Sequence, residues 1–217
     1  EAGSMSGLIG WWRFDETNGT VASDSSGKGN NGTLQGNPTW VTGKIGGALS
    51  LDGGDFMEVS SRKWNLDNIA TVSLWFNLSQ NASGHETVFS LSRDQSNDEI
   101  LFWLDGQAML FYQHKSNSNW ARLSSSASIS TWWHFSGVID GGFAQSQMKF
   151  YSNGQLVNAA YQTSGSPALL SDSHDRKLRI GSRVNGTYYF HGLIDDVRIY
   201  DRALSTVEVQ ALYNLGQ

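Results

Sequence analysis

Apolar side chains recur at every second position in short runs, each ended by Gly, Asn, Asp or Ser. The runs cover Leu8 to Phe14, Ala48 to Leu51, Phe56 to Val59, Thr71 to Leu78, Thr87 to Leu91, Glu99 to Leu104 and Ala108 to His114. They continue with Trp120 to Leu123, Trp132 to Asp140, Gln147 to Ser152, Lys177 to Ile180 and Leu193 to Tyr200. A period of two places successive side chains on opposite faces of an extended chain, so the sequence predicts about a dozen strands, each with a buried face. Asp105-Gly106, Asp140-Gly141 and Asn153-Gly154 supply the positive φ of tight hairpins and hence antiparallel pairing. Helical spacing occurs only at the end. There Ser205 caps Val207, Ala211 and Leu212, with Glu208 in the capping-box position.

The 24 glycines and two prolines in 217 residues agree with many turns and few helices. No repeat, linker or composition break divides the chain, and all-β sandwiches of this length form one domain. Glu1-Ala2-Gly3-Ser4-Met5 reads as a leftover of expression cloning, which leaves one expected domain over 6–217. A net charge of -5 without a basic run argues against nucleic acid and against anionic membrane. The absence of cysteine removes disulfides, thiolate metal sites and a thiol nucleophile, and leaves oxygen as the natural metal ligand. It also favours a bacterial source for an exported protein.

Three groups of segments carry a family resemblance. The first is Gly10-Trp11-Trp12-Arg13-Phe14-Asp15-Glu16, then Asp24-Ser25-Ser26-Gly27-Lys28-Gly29-Asn30-Asn31-Gly32-Thr33-Leu34, then Gly46-Gly47-Ala48-Leu49-Ser50-Leu51-Asp52-Gly53. The second is Thr131-Trp132-Trp133-His134-Phe135 with Asp140-Gly141, running into Lys149-Phe150-Tyr151-Ser152-Asn153-Gly154. The third is Leu178-Arg179-Ile180-Gly181-Ser182 followed by His191-Gly192-Leu193-Ile194-Asp195-Asp196-Val197-Arg198-Ile199-Tyr200-Asp201-Arg202-Ala203-Leu204-Ser205. Together they resemble the laminin-G-like, concanavalin-A-like jelly rolls of bacterial extracellular proteins. The resemblance implies an all-β, two-sheet antiparallel jelly-roll sandwich with one short C-terminal helix, its first and last strands side by side. It further implies a frequent calcium ion and a secreted or cell-surface module that binds a polysaccharide or glycan, or alternatively a surface protein or peptide as an adhesin does.

Calcium takes six to eight oxygens, and the Gly-rich loop from Asp24 to Asn31 can turn several carbonyls inward. With the terminal strands paired as in the family, that loop is expected to meet the carboxylate of Asp195. Asp24, Asn30 and Asp195 are the expected side-chain ligands, Gly27 or Lys28 offers a carbonyl, and Asp196 substitutes for Asp195 if the strand parity is opposite.

For ligand contact the leading residue is Trp120, which follows the polar turn Ser116-Asn117-Ser118-Asn119, with Tyr112, His114 and Arg93 as polar support. Tyr188 and Tyr189 beside the Asn185-Gly186 turn form a second patch. Trp11, Trp12, Trp75, Trp132 and Trp133 read as strand packing. Glycoside hydrolysis needs a spaced carboxylate pair, and none is evident. Asp94, Asp98 and Glu99 read as a solvated loop cluster, His85-Glu86 lacks a clear partner, and His134 reads as a packed core histidine. The expectation is a binding module, with a polysaccharide lyase or glycoside hydrolase as a remoter alternative.

Overall fold

The computed structural model describes residues 6–217 apart from 65, 67–68, 81–83, 94–98, 117–118, 127, 129, 143 and 166–173, and the backbone alone at 112–116 and 119–120. Among the described residues there are seventeen strands, a single 3-10 turn and one α-helix. The N-terminal strands are β1 (Leu8–Trp12), β2 (Val21–Ala22), β3 (Gly32–Gln35), β4 (Thr39–Thr42), β5 (Gly47–Asp52) and β6 (Phe56–Arg62). The central ones are β7 (Ile69–Leu78), β8 (His85–Ser92), β9 (Glu99–Asp105), β10 (Ala108–Ser116), β11 (Asn119–Ser126) and β12 (Trp132–Asp140). The last are β13 (Met148–Ser152), β14 (Gln155–Leu156), β15 (Ala160–Ser164), β16 (Arg176–Ile180) and β17 (His191–Tyr200), followed by α1 (Thr206–Asn214).

All the pairings described are antiparallel, as the turn residues predict. The first sheet runs β14-β13-β12-β7-β17-β5-β4, with β1 also on β17, and the second runs β15-β11-β10-β9-β8-β16-β6-β3-β2. The first and last strands do lie side by side, with Trp12 opposite Val197 and Leu8 opposite Tyr200.

Alternation decides what fills the space between the sheets. Along β7, Ala70, Val72, Leu74, Phe76 and Leu78 all enter the shared core. Phe102 and Phe135 stack across the sandwich with centroids 3.8 Å apart. Gly137 is where Phe111 of the other sheet comes closest, since a Cβ there would fall 2.6 Å from its ring. Each fully buried large side chain stabilises the fold by about 1.5–3 kcal/mol.

The outer face of the first sheet is closed by a second, smaller core. Leu8, Val138, Tyr151 and Tyr200 pack there against Leu204, Val209 and Leu212 at α1. The helix begins with the expected capping box: Glu208 N–H donates to Ser205 Oγ (3.3 Å) and Ser205 N–H to Glu208 Oε2 (2.9 Å).

Candidate functional site

Outward parity on β9 falls to Glu99, Leu101 and Trp103, because Ile100, Phe102 and Leu104 are in the core. Trp103 meets His85, which begins β8, in a parallel stack at 4.6 Å with the planes 2° apart. Tyr188 stands perpendicular to both rings, at 83° to His85 and 85° to Trp103. Its exposure is 40%. The segment carrying Tyr188 is laid against β8: Thr87 N–H donates to the Tyr188 carbonyl at 2.7 Å, and Val184 N–H to Ser90 Oγ at 3.3 Å. Arg183 anchors the other end on Glu99, Nη2 to Oε2 at 2.7 Å.

Asp105 rims this ring group, while Glu86 and Asp52 gather at His191 of the first sheet. Asp105 lies opposite His85 in the register, with 3.6 Å between its Oδ1 and His85 Nδ1. Glu86 Oε2 accepts from His191 N–H at 2.9 Å, and Oε1 faces His191 Nδ1 at 3.7 Å. Burial pushes the Glu86 carboxyl above its usual range, against the lowering effect of that backbone donor and of His191. Asp52 is opposite His191 on β5. The His191 ring covers Gly53, at φ +94, where any Cβ would collide with it.

Of the residues expected to touch ligand, Tyr188 belongs to this group. Tyr189 packs on Phe56 at 6.2 Å, and Arg179 lies over Phe56 at 4.2 Å. Arg93 is set beside His174, Nη1 to Nε2 at 3.4 Å. The side chains of Tyr112, His114 and Trp120 lie outside the described residues. Their backbone shows Trp120 inside β11, opposite His114, and Tyr112 opposite Leu101, positions aligned with the outward residues of β9. From the sequence, His85-Glu86 is set aside for want of a partner, Trp103 is left undecided between core and surface, and Asp105 and His191 are given no site role. The available signal was the outward parity of Trp103 between two core residues. Glu99, expected in a solvated cluster, is instead fully buried in β9 against Arg183 and Ser90; Asp94 and Asp98 lie outside the described residues.

The residues expected to hold calcium are not assembled as one cage. Trp11 N–H donates to Asp24 Oδ1 and its carbonyl accepts from Ser25 N–H, so the Asp24 loop lies along the edge of β1 facing away from β17. Four donors occupy the Asp24 carboxylate: Trp11 N, Ser26 N, Ser26 Oγ and Asn30 N, at 2.8–2.9 Å. Asn30 is likewise engaged, donating to the Ile9 carbonyl at 2.6 Å and accepting from Arg62 Nη1. Gly27 holds φ +79 in an open turn, and Lys28 N–H donates to Ser26 Oγ at 3.2 Å. This loop is a self-contained clasp, the turn-making role Asp and Asn often take.

Asp195 sits elsewhere. One edge of β17 pairs with β5 up to Ile194 and with β1 from Val197, and at the handover a bulge sets Asp195 and Asp196 between two inward residues. The parity question has a physical answer there: the bulge turns both carboxylates away from the main core, with Asp196 at φ +47. Asp195 Oδ2 accepts from Lys44 and Ile45 N–H, each at 2.8 Å, and on the same turn Asp15 accepts from Gly47 N–H at 2.8 Å. Asp195 Oδ1 is buried without a hydrogen-bond partner, and burial raises its carboxyl to about 7. Asp196 Oδ1 is taken by Trp11 Nε1 (2.6 Å) and by Arg198 (3.1 and 3.2 Å). Among the described residues no group of three or more His, Asp or Glu side chains is gathered where it could hold a metal. Of the expected side-chain ligands, Asp195 keeps a buried oxygen unpartnered, whereas the Asp24 carboxylate and the Asn30 amide are committed within and beside their loop.

One arrangement resembles hydrolase chemistry. His134 Nε2 lies 3.0 Å from Ser73 Oγ, which accepts from Ser136 Oγ at 2.9 Å. All three are buried, and Trp75 and Tyr213 pack on the imidazole. No substrate reaches that serine; the histidine is a packed one.

A laminin-G-type family model, described as the Concanavalin A-like lectin/glucanases superfamily, matches residues 51–210. The adhesion G-protein coupled receptor V1 of Danio rerio is 24% identical over 154 residues, which are 66% of this chain and 2% of the receptor. The chain thus spans a small fraction of the curated relative it matches. Domain 4 of AbnA, a GH43 extracellular arabinanase from Geobacillus stearothermophilus solved with arabinotriose, superposes with a TM-score of 0.74 at 22% identity, covering 97% of this chain and 98% of that one. The binding domain of botulinum neurotoxin serotype D gives 0.71 at 17% identity, over 97% of this chain and 52% of the toxin chain. At these identities the structural likeness establishes the sandwich alone. The family match spans most of the chain and agrees with the two-sheet architecture: the chain belongs to the concanavalin A-like lectin/glucanase superfamily, in its laminin-G-like form.

Proposed function

We propose that the chain is a non-catalytic, extracellular binding module that takes a saccharide on the outer face of its second sheet and is stabilised by a calcium ion at Asp195. The observation that carries the reading is the His85–Trp103–Tyr188 group. Partly exposed rings meet there with convergent carboxylate and imidazole groups, which is the composition a sugar's apolar face and hydroxyls require. Arabinotriose bound to a domain of similar fold lends support.

The calcium part rests on the unpartnered buried oxygen of Asp195, an acceptor whose desolvation a divalent cation would offset. Bound calcium would neutralise that carboxylate and fasten the turn at 43–47 to β17. The chain's own residues do the rest: Asp195 holds the turn by two backbone donors, and Asp15 holds it from the other side.

A glycan array read with calcium and with chelator tests both parts. Retention of at least one oligosaccharide is expected. Trp103→Ala should weaken it about thirtyfold or more, the loss typical of a hot-spot aromatic, while keeping the unfolding transition. Calcium should raise the unfolding midpoint of the parent and not of Asp195→Asn. A blank array, or turnover of a polysaccharide, contradicts the binding reading, and a midpoint indifferent to calcium contradicts the metal.

A further inference from the structure

Resting on the saccharide reading of the ring group, we propose that the sugar it selects is an amino sugar, recognised through its protonated amine. At the rings stands Asp105 with a side chain 54% exposed, and Glu86 and the exposed Asp52 add negative charge at the neighbouring His191. Lys177, Arg179 and Arg183, on β16 and on the loop that carries Tyr188, already bond carboxylates, the first two sharing one. Arg183 is on Glu99 at 2.7 Å, Arg179 on Glu58 at 2.8 Å and Lys177 on Glu58 at 3.2 Å. A uronate or sialate brought here would meet carboxylates and would have to displace one of those ion pairs to find a positive partner. An ammonium meets the opposite situation. The electron-rich ring faces left open in this perpendicular arrangement, with a carboxylate at the rim, attract a cation by quadrupole and by charge together. The His85 imidazole lies 3.6 Å from Asp105, and the His191 backbone N–H holds Glu86 at 2.9 Å.

The experiment is calorimetric titration of the parent protein with three trimers: glucosamine, N-acetylglucosamine and galacturonic acid. The glucosamine trimer is expected to bind about three- to fivefold more tightly than its acetylated form, the scale of one exposed cation–π contact, and to weaken as salt is raised. The galacturonate trimer should give no heat of binding. Asp105→Asn, a change at an exposed position, should erase most of the amine preference, read as the ratio of the two affinities within each protein. Asp52→Asn serves as the second variant, with a smaller effect in the same direction. Equal or tighter binding of the acetylated or acidic trimer overturns the inference, as does an amine preference untouched by Asp105→Asn. A lysine-rich peptide that binds where the glucosamine trimer does not also overturns it. If a glycan array is positive for neutral or acidic sugars only, this inference fails and the saccharide reading stands; if the array is blank, both fail.

Discussion

The two outer faces of the sandwich carry similar chemistry under opposite conditions. On the first sheet Trp11, Trp75, His134, Asp195, Asp196 and Arg198 are packed beneath α1 and the chain termini, and all but Trp11 are fully or almost fully buried. On the second sheet His85, Trp103, Asp105 and Tyr188 are the same residue types, crossed by one loop and open to solvent. Aromatics and carboxylates therefore do not by themselves identify a site. In the closed set the charges serve each other: Arg198 holds Asp196 and lies 4.4 Å over the Trp11 ring. In the open set, His85 and Asp105 come no closer than 3.6 Å and both side chains keep substantial exposure, 38% and 54%.

If the closed face is structural, its variants should unfold the protein without a specific effect on ligand. The largest effect is expected from Arg198→Ala, which strips a buried carboxylate of its ion-pair partner and should cost about 3–5 kcal/mol in chemical denaturation. A loss of ligand affinity with the denaturation curve unchanged would instead make the closed face part of the site.

The second comparison is in pH. Burial first, and then the Arg198 charge, hold the His134 imidazole down at about 3. Above its ordinary value near 6.5 neither state binds the proton. As pH falls from about 6.5 to about 3 the unfolded chain takes a proton that the folded chain refuses, so this stabilising contribution is lost over that window. The total is on the order of 5 kcal/mol. Urea midpoints of the parent and of His134→Gln, measured at pH 7.5 and 4.5, should diverge toward acid, with the variant flatter; taking the difference removes the acid dependence they share. Parallel curves would mean that the imidazole is not shielded by the helix.

The smallest effect concerns the lid of the closed face. Glu208 is held at about 2, mainly by its bond from Arg202, and Ser205→Ala removes one half of the capping box. It should lower stability by about 1 kcal/mol and leave oligosaccharide affinity where it was. A drop in affinity would tie the helix to binding.

Much of this was legible in the sequence, because period-two alternation and Gly-containing turns act locally. The long strands, the antiparallel pairing and the Ser205–Glu208 cap follow from such signals, while the union of β1 with β17, which joins the two ends of the chain, was legible only through the family resemblance. The short edge strands β2, β4, β14 and β15 did not, since they expose most of their residues and carry little alternation. The site was harder for another reason. His85 and Trp103 are brought together by strand register, and Asp24 is separated from Asp195 by which edge of β1 its loop follows. Neither is encoded in spacing. The bulge at Asp195–Asp196 also breaks the alternation on which any parity argument depends.

The central claim is that ligand meets the open face and not the closed one. The nine tryptophan indole N–H groups report on both in a single spectrum. The most direct measurement is a nitrogen-15 NMR titration with the oligosaccharide that the parent protein retains best, its indole signals assigned by single Trp→Phe replacement. A saturable shift of the Trp103 indole signal is expected, with those of Trp11 and Trp75 unmoved. A shift of Trp11 or Trp75 while Trp103 stays still would contradict that claim.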